Sequence, residues 1–186
     1  MPGSVIGKSL NLGYAGKISR NVDNIVSSRA VKSILNGSAV ETLSNIPFGT
    51  GVVINTDNTY SKFGDSGTGV SAATAANFAG IAVGEVKQMT SYGNVSGAGS
   101  YAPNEAADVL QRGSTTVVCK DGTPVAGGTV HICTVAGGSI AVGDFVCATN
   151  PTGGGTAVAL SNIKWTTGKK DANGICEVTI INRLTA

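Results

Sequence analysis

A chain of 186 residues with a formal net charge of +2 is long enough to bury a sizeable core in one domain, and its charge is too small to argue for nucleic-acid binding through phosphate neutralisation. Only 13% of the residues are charged and 5% aromatic, while 27 glycines are scattered along the chain without a collagen-like period, a composition that predicts short β-branched strands between many turns. No run approaches the roughly 18 apolar residues of a membrane span, and the start MPGSVIGKSLNLGYAGK lacks the apolar core of a secretion signal, so the expectation is a soluble protein made in a cytoplasm, with neither membrane nor nucleic acid as partner.

Residues 1–45 form a distinct opening. Lys8, Lys17, Arg20, Arg29 and Lys32 stand against Asp23 and Glu41, a local charge of +3 that leaves −1 for the remainder. Apolar residues there come in bursts such as DNIVSSRAVKSIL, with weak helical periodicity. This stretch reads as a basic N-terminal arm, partly extended and leaning on something else, ahead of a β-rich domain over 46–186.

From Ile46 the pattern is regular. FGTGVVINTD is a strand bounded by turn residues. FGDSGTG, residues 63–69, contains the GDSG string that surrounds the nucleophilic serine of trypsin-like proteases. A serine nucleophile needs a base, normally a histidine held by a carboxylate. The one histidine, His131, lies downstream of Ser66, the reverse of the trypsin-like order. The α/β-hydrolase order of serine, acid and histidine passes with Asp108 or Asp121, but its elbow requires G-x-S-x-G on a strand-to-helix turn, and the fifth residue here is Thr68. The stretch reads as a turn.

NFAGIAVGEVKQ is a second, largely buried strand, followed by a long loop, SYGNVSGAGSYAPNEAAD. Glu105 and Asp108 in this loop are the closest pair of carboxylates, but a glycosidase would also need aromatic rings to stack a sugar, and the aromatics are few and scattered. These acids are expected to bond backbone amides. EAADVLQRG is the sole candidate for a helical turn, and VLQRGSTTVVCK reads as a strand pair about Gly113. GGTVHICTV, SIAVGDFVCAT, GTAVALS, IKWTTG and GICEVTIINRL then recur at roughly 8 to 14 residues with turn signals between them, the signature of an all-β fold, a compact sandwich or barrel of short strands.

Within this series, His131 faces the opposite side of its strand from Val130 and Ile132. TNPTGGGTA lacks the lysine and the helix of a phosphate loop and reads as a loop tip. Trp165 reads as a core or interface residue, and Lys169 and Lys170 beside Asp171 as a solvated turn. Cys119, Cys133, Cys147 and Cys176 contain no C-x-x-C pair, so neither a metal site nor a cofactor is expected. Each lies in an apolar run and reads as a buried free thiol, with disulfides as the second reading for a protein that later meets an oxidising medium.

YAPNEAADVLQRGSTTVVCK resembles the central signature of the capsid cement (decoration, head-stabilising) proteins of tailed bacteriophages: a tyrosine-proline-glycine-glutamate start, a valine-aspartate-valine-leucine run and a glycine. Tyr101, Pro103, Glu105, Asp108, Val109, Leu110 and Gly113 fall on that pattern, and Asn104 replaces the usual glycine. IPFGTGVVINTD and NFAGIAVGEVKQ resemble the family's earlier strands, and IKWTTGKKDANGICEVTII its closing hairpin. The resemblance covers residues 46–186. It implies a non-catalytic structural protein of the virion, synthesised in the host bacterial cytoplasm. Such a protein docks on the outer surface of an expanded head as a dimer or trimer and bridges neighbouring major capsid protein subunits. The arm lies outside the resemblance. Because a basic segment can order on a coat surface at the moment of binding, Arg20, Arg29 and Lys32 are the expected capsid or subunit contacts. The alternative is a particle-displayed β-sandwich adhesin or carbohydrate-binding module, which would need an aromatic platform.

Overall fold

β-Branched residues flanked by glycine and asparagine turns fold as the composition predicts, into strands and connecting turns. The computed structural model describes residues 12–36, 39–41, 43–84 and 99–182. In chain order the strands are β1 (Ile18–Ala30), β2 (Ile34–Asn36), β3 (Ala39–Glu41), β4 (Ile46–Pro47), β5 (Gly51–Ile54), β6 (Tyr60–Lys62), β7 (Phe78–Ala82), β8 (Ser100–Tyr101), β9 (Ala106–Asp121), β10 (Thr129–Val135), β11 (Phe145–Val146), β12 (Thr156–Lys170) and β13 (Ile175–Ile180). Among the described residues one 3₁₀ turn, Ala75–Asn77, precedes β7.

β9 organises the molecule because both of its edges are used. One edge pairs antiparallel with β13 from Gly113 to Val118 and with β7 at Val109 and Leu110. The other pairs with β1 between Ala106 and Thr115, and then, in parallel, with β11 at Cys119 and Asp121. That last pairing closes the order β11-β10-β12-β13-β9 on itself. The result is a five-stranded barrel, in which closure removes exposed edges. β7, β5 and β6 extend the same sheet beyond the barrel, while β2 pairs with β3 and β4 with β8.

The core follows from the two-residue period of the strands. Val53, Ile81 and Leu110 point into a cluster with Val117, Val130, Ile132, Phe145, Leu160, Ile163, Trp165, Val178 and Ile180. Their neighbours Val52, Ala82 and Val109 point the other way, into a second cluster with Val31, Ile46, Tyr60 and Tyr101. The sheet of β5, β7 and β9 is thus covered on both faces. This is why GVVI, GIA and VL read as unbroken apolar runs instead of alternating ones.

Five local expectations differ from the structure. EAADVLQRG is strand, not a helical turn, and VLQRGSTTVVCK is one strand. Gly113 (φ 118°) does not break β9, because its missing Cβ leaves room for Asn24 Oδ1, which would lie 1.9 Å from a side chain there. GTAVALS and IKWTTG merge into β12, with a shift of register against β10 that absorbs the extra residues. In SIAVGDFVCAT only Phe145–Val146 is strand. Trp165 is a core residue, 1% exposed. Asp171 heads the β12–β13 turn beside exposed Lys169 and Lys170, but is not itself solvated. It is buried and accepts hydrogen bonds from the amides of Leu12, Asn173 and Ile175 at 3.1, 2.9 and 2.8 Å. The strand expected over NFAGIAVGEVKQ and the loop after it lie in part outside the described residues.

Gly80 shows how tightly β7 is set against β9. Its φ is +153°, and a Cβ there would lie 2.2 Å from the Leu110 carbonyl oxygen and 2.8 Å from Val109 Cγ1. Gly80→Ala must push two hydrogen-bonded strands apart in a core covered on both faces. It should cost about 1–3 kcal/mol, read as a lower urea midpoint with an unchanged m-value. A midpoint within error of wild type would show that β7 yields freely.

Candidate functional site

Residues 12–36, within the stretch read as a basic arm, carry β1, which lies along β9 with register shifts between Ile18 and Arg20, Arg20 and Ile25, and Ile25 and Val26. The irregularity centres on Asp23, a non-glycine residue at φ 66°, a conformation that asparagine and aspartate tolerate best. Among the described strands β1 pairs with β9 alone, leaving its outer backbone edge without a strand partner. Charges and bulges along such an edge discourage indiscriminate pairing.

The three basic residues singled out in the sequence fall in two places on this strip. Arg20 stands at one end, its guanidinium forked onto Glu177 of β13 by Nε to Oε1 at 2.8 Å and Nη2 to Oε2 at 3.2 Å. Ser19 Oγ donates to the same Oε1 at 2.7 Å. The pair is lopsided: Arg20 is 59% exposed and Glu177 only 7%. Burial by itself would raise the Glu177 carboxyl, but the hydrogen bonds from Arg20 and Ser19 and the guanidinium charge hold it below its ordinary value.

Arg29 and Lys32 come together around β6. The Arg29 guanidinium sits over the Tyr60 ring, 5.5 Å from its centroid, while its buried Nε has no hydrogen-bond partner. The Lys32 amide donates to the Tyr60 carbonyl at 2.8 Å, and its ammonium pairs with Asp57. The Lys32 hydrogen bond, with further ones from Thr59, pulls the Asp57 carboxyl down to about 2. Between these two places, Asp23 pairs with Arg112 and Ser28 donates to Asp108. An open groove of about 220 Å³ lies beside Asp23, Arg112, Gly113 and Ile181. Tyr14, Ile18 and Val26 are 55, 42 and 41% exposed, so the strip carries apolar as well as cationic groups. Such a surface can dock a partner, with exposed apolar area for affinity and charge for orientation. Glu177, Asp57 and Tyr60, which position the cations, carried no local signal in the sequence.

The other candidates are dispersed. Ser66 is exposed in the turn after β6, and its neighbour Asp65 is bonded to Ser44. His131 is paired in the sheet with Val146 and Ala159, and its Nδ1 is buried without a hydrogen-bond partner. Glu105 accepts the Ala102 amide at 2.9 Å, as expected, whereas Asp108 takes the Ser28 hydroxyl instead of a backbone amide. Asn104 has φ 69°, which explains how asparagine can stand where the signature has glycine. Tyr60, Phe63, Phe78, Tyr101 and Trp165 are buried, and no cluster of exposed rings forms a sugar-stacking platform among the described residues. Cys119, Cys147 and Cys176, far apart in sequence, meet at one end of the barrel, where Cys119 Sγ lies 3.6 Å from Cys147 Sγ. Their thiol protons influence one another.

A family model described as "Structural cement protein (E217 gp24/Pam3 gp6)" matches residues 1–181. No curated protein matches the chain in sequence. Among solved structures, a chain of the capsid of Myoviridae phage XM1 is similar in fold, with a TM-score of 0.60 at 18% identity, covering 100% of this chain and 99% of that one.

The Arg20–Glu177 pair has a pH signature. A carboxyl depressed in the folded state adds stability that is complete above its ordinary value of 4.5 and is lost as pH falls through the lower folded-state value. Glu177→Gln should therefore lower the urea midpoint near neutrality, and the gap to wild type should narrow as pH falls below about 4.5. A gap that stays constant as pH falls would remove the charge-based account.

Proposed function

The chain belongs to the structural cement protein family, and on that premise we propose that it binds the outer surface of an expanded phage capsid and stabilises the head by bridging neighbouring major capsid protein subunits. The observation that carries this reading is the family match over residues 1–181, and the likeness of fold to a phage capsid chain accords with it. The physical requirement is modest. Each copy needs a rigid body and a few weak contacts, because a lattice repeats them and avidity multiplies their effect. The closed barrel supplies the rigid body. The β1 strip supplies contacts of mixed character, cationic at Arg20, Arg29 and Lys32 and apolar at Tyr14, Ile18 and Val26.

In this proposal residues 1–45 act as the docking element and 46–186 as the body, and the chain works as a dimer or trimer on the lattice, requiring no cofactor, nucleic acid or membrane. Arg20, Arg29 and Lys32 supply the capsid or subunit contacts. Their intramolecular partners favour this assignment, since an anchored cation loses less side-chain freedom on binding than a free one. The aromatic side chains that an adhesin would display are largely buried, so no specific observation favours that second reading.

Deleting residues 1–40 would strip β1 from β9 and confound binding with folding, so substitution is the cleaner test. The Arg20→Ala, Arg29→Ala, Lys32→Ala variant should keep the β-sheet circular dichroism of wild type but occupy particles several-fold less, and the deficit should be smaller at high salt, where charge contributes least. Quantitative mass spectrometry of gradient-purified particles gives copies per major capsid protein. Wild-type occupancy at a simple lattice ratio with an unchanged variant would remove the cationic contacts and keep the cement role. Absence of the wild-type chain from particles would remove the cement role itself.

A further inference from the structure

Three of the four cysteines converge on one spot although 28 and 29 residues separate consecutive members in sequence. Cys119 is on β9, Cys176 on β13, and Cys147 follows β11 directly. The barrel closure brings them together. The β11 pairing sets Phe145 opposite Cys119, the Cys147 amide donates to the Asp121 carbonyl at 3.2 Å, and the Cys119 amide donates to the Gly174 carbonyl at 2.8 Å. Cys119 is 2% exposed and Cys176 fully buried, whereas Cys147 is half-buried. Cys147 is thus the cluster's side toward solvent.

We propose that Cys119 and Cys147 form a peroxide-sensitive thiol pair that closes to a disulfide and staples the central strand of the barrel to the β11–β12 connection. Their sulfurs are already in contact at 3.6 Å, so a shift of roughly 1.5 Å brings them to bonding distance. Cys147 lies on Cys147–Asn150, a segment outside the strands, which can supply that shift. Gly122 packs on Cys147, and a Cβ there would lie 2.7 Å from Cys147 Cβ, so the thiol is held toward Cys119. Cys176 is the poorer partner, because it is fully buried and fixed in the β13–β9 ladder opposite Val117.

The electrostatics of the cluster supply the nucleophile. Hydrogen bonds, first from Cys176 and then from Cys147, with the nearby Lys170 charge, outweigh burial and lower Cys119 to about 7. Burial, followed by the charge on Cys119, raises Cys147 to about 12. One thiolate at Cys119 beside one thiol at Cys147 is the charge arrangement that sulfenate chemistry needs, and because Cys119 is itself buried, peroxide must reach it from the side of half-buried Cys147. The Cys119 thiolate attacks one oxygen of hydrogen peroxide. An S–O bond forms, the O–O bond breaks, and the departing hydroxide takes up a proton to become water. The Cys147 sulfur then attacks the Cys119 sulfenic acid. The S–S bond forms, the S–O bond breaks, and a second water leaves with the Cys147 proton. The two sulfurs together lose two electrons and the peroxide oxygens gain them. Cys133 lies apart in another cluster, bonded to the Val135 and Thr156 carbonyls at 3.2 and 3.5 Å, with its thiol raised by burial, and serves as an internal control.

A bond that forms only once a particle leaves a reducing cytoplasm would lock the barrel after assembly. That link to the particle rests on the cement reading; the bond itself requires only the folded chain. The test therefore uses the purified full chain without capsids. It is treated with hydrogen peroxide, unfolded in the presence of an alkylating agent and mapped by mass spectrometry. The expected product is a Cys119–Cys147 crosslink with Cys133 alkylated. Its rate should rise about tenfold per pH unit below the Cys119 value and level off above it. A Tm several degrees higher than that of the reduced protein should accompany it and be reversed by a thiol reductant. Cys147→Ser should instead trap a dimedone-reactive Cys119 sulfenate. Alkylation of all four cysteines after peroxide, or a Cys119–Cys176 crosslink, would overturn the proposal, and neither result would bear on capsid occupancy.

Discussion

The hydrogen-bonded pairing of both edges of β9 is the constraint on which the rest of the molecule depends. A strand of 16 residues has far more backbone donors and acceptors than a small domain can bury unpaired, and here four other strands share them. β13 and β11 take the C-terminal half into a closed barrel, while β7 and β1 flank the N-terminal half. Gly113 sits where the edge shared by β7 and β13 changes hands from one to the other. The space its missing side chain leaves lets Asn24 approach, so one residue without a Cβ permits three strands to meet.

That arrangement also explains the character of the candidate site. β1 is bound to the body along one edge and has no partner on the other among the described strands, so its side chains are presented on a fixed frame and not on a floppy tail. Arg20 reaches across to Glu177, and Lys32 to Asp57. In each pair one member is more buried than the other, so attraction is screened less than between two fully exposed groups. The thiol cluster has the same origin at the opposite end of β9. Parallel pairing with β11 is what sets Cys147 against Cys119. The proposed cementing and thiol-closing roles are compatible, because both depend on a body that keeps its shape.

Much of this was legible in local patterns. β-Branched runs between glycine and asparagine turns indicated an all-β chain, and the segment from Tyr101 to Lys120 carried the resemblance to cement proteins that the family match shows. Asn104 illustrates why that reading worked: a turn needing positive φ accepts asparagine almost as readily as glycine, so the pattern survives the exchange. GDSG illustrates the converse. The string matched a catalytic motif, but a motif has chemical meaning only with its partners, and Ser66 sits in an exposed turn.

What the amino-acid order determined by itself was therefore everything that depends on near neighbours: strand propensity, turn positions, the two-residue alternation of faces and the weak net charge. What only the tertiary structure decided was which strands adjoin, that β11 returns to β9, that Arg20 meets Glu177 at a sequence separation of 157, and that three separately read cysteines form one cluster. The physical reason is that a period of two tells which face a side chain takes but carries no label for the strand beside it. Ladder hydrogen bonds are chemically identical at every residue, so the choice of partner falls to the global packing of both faces of β9, which no local window contains.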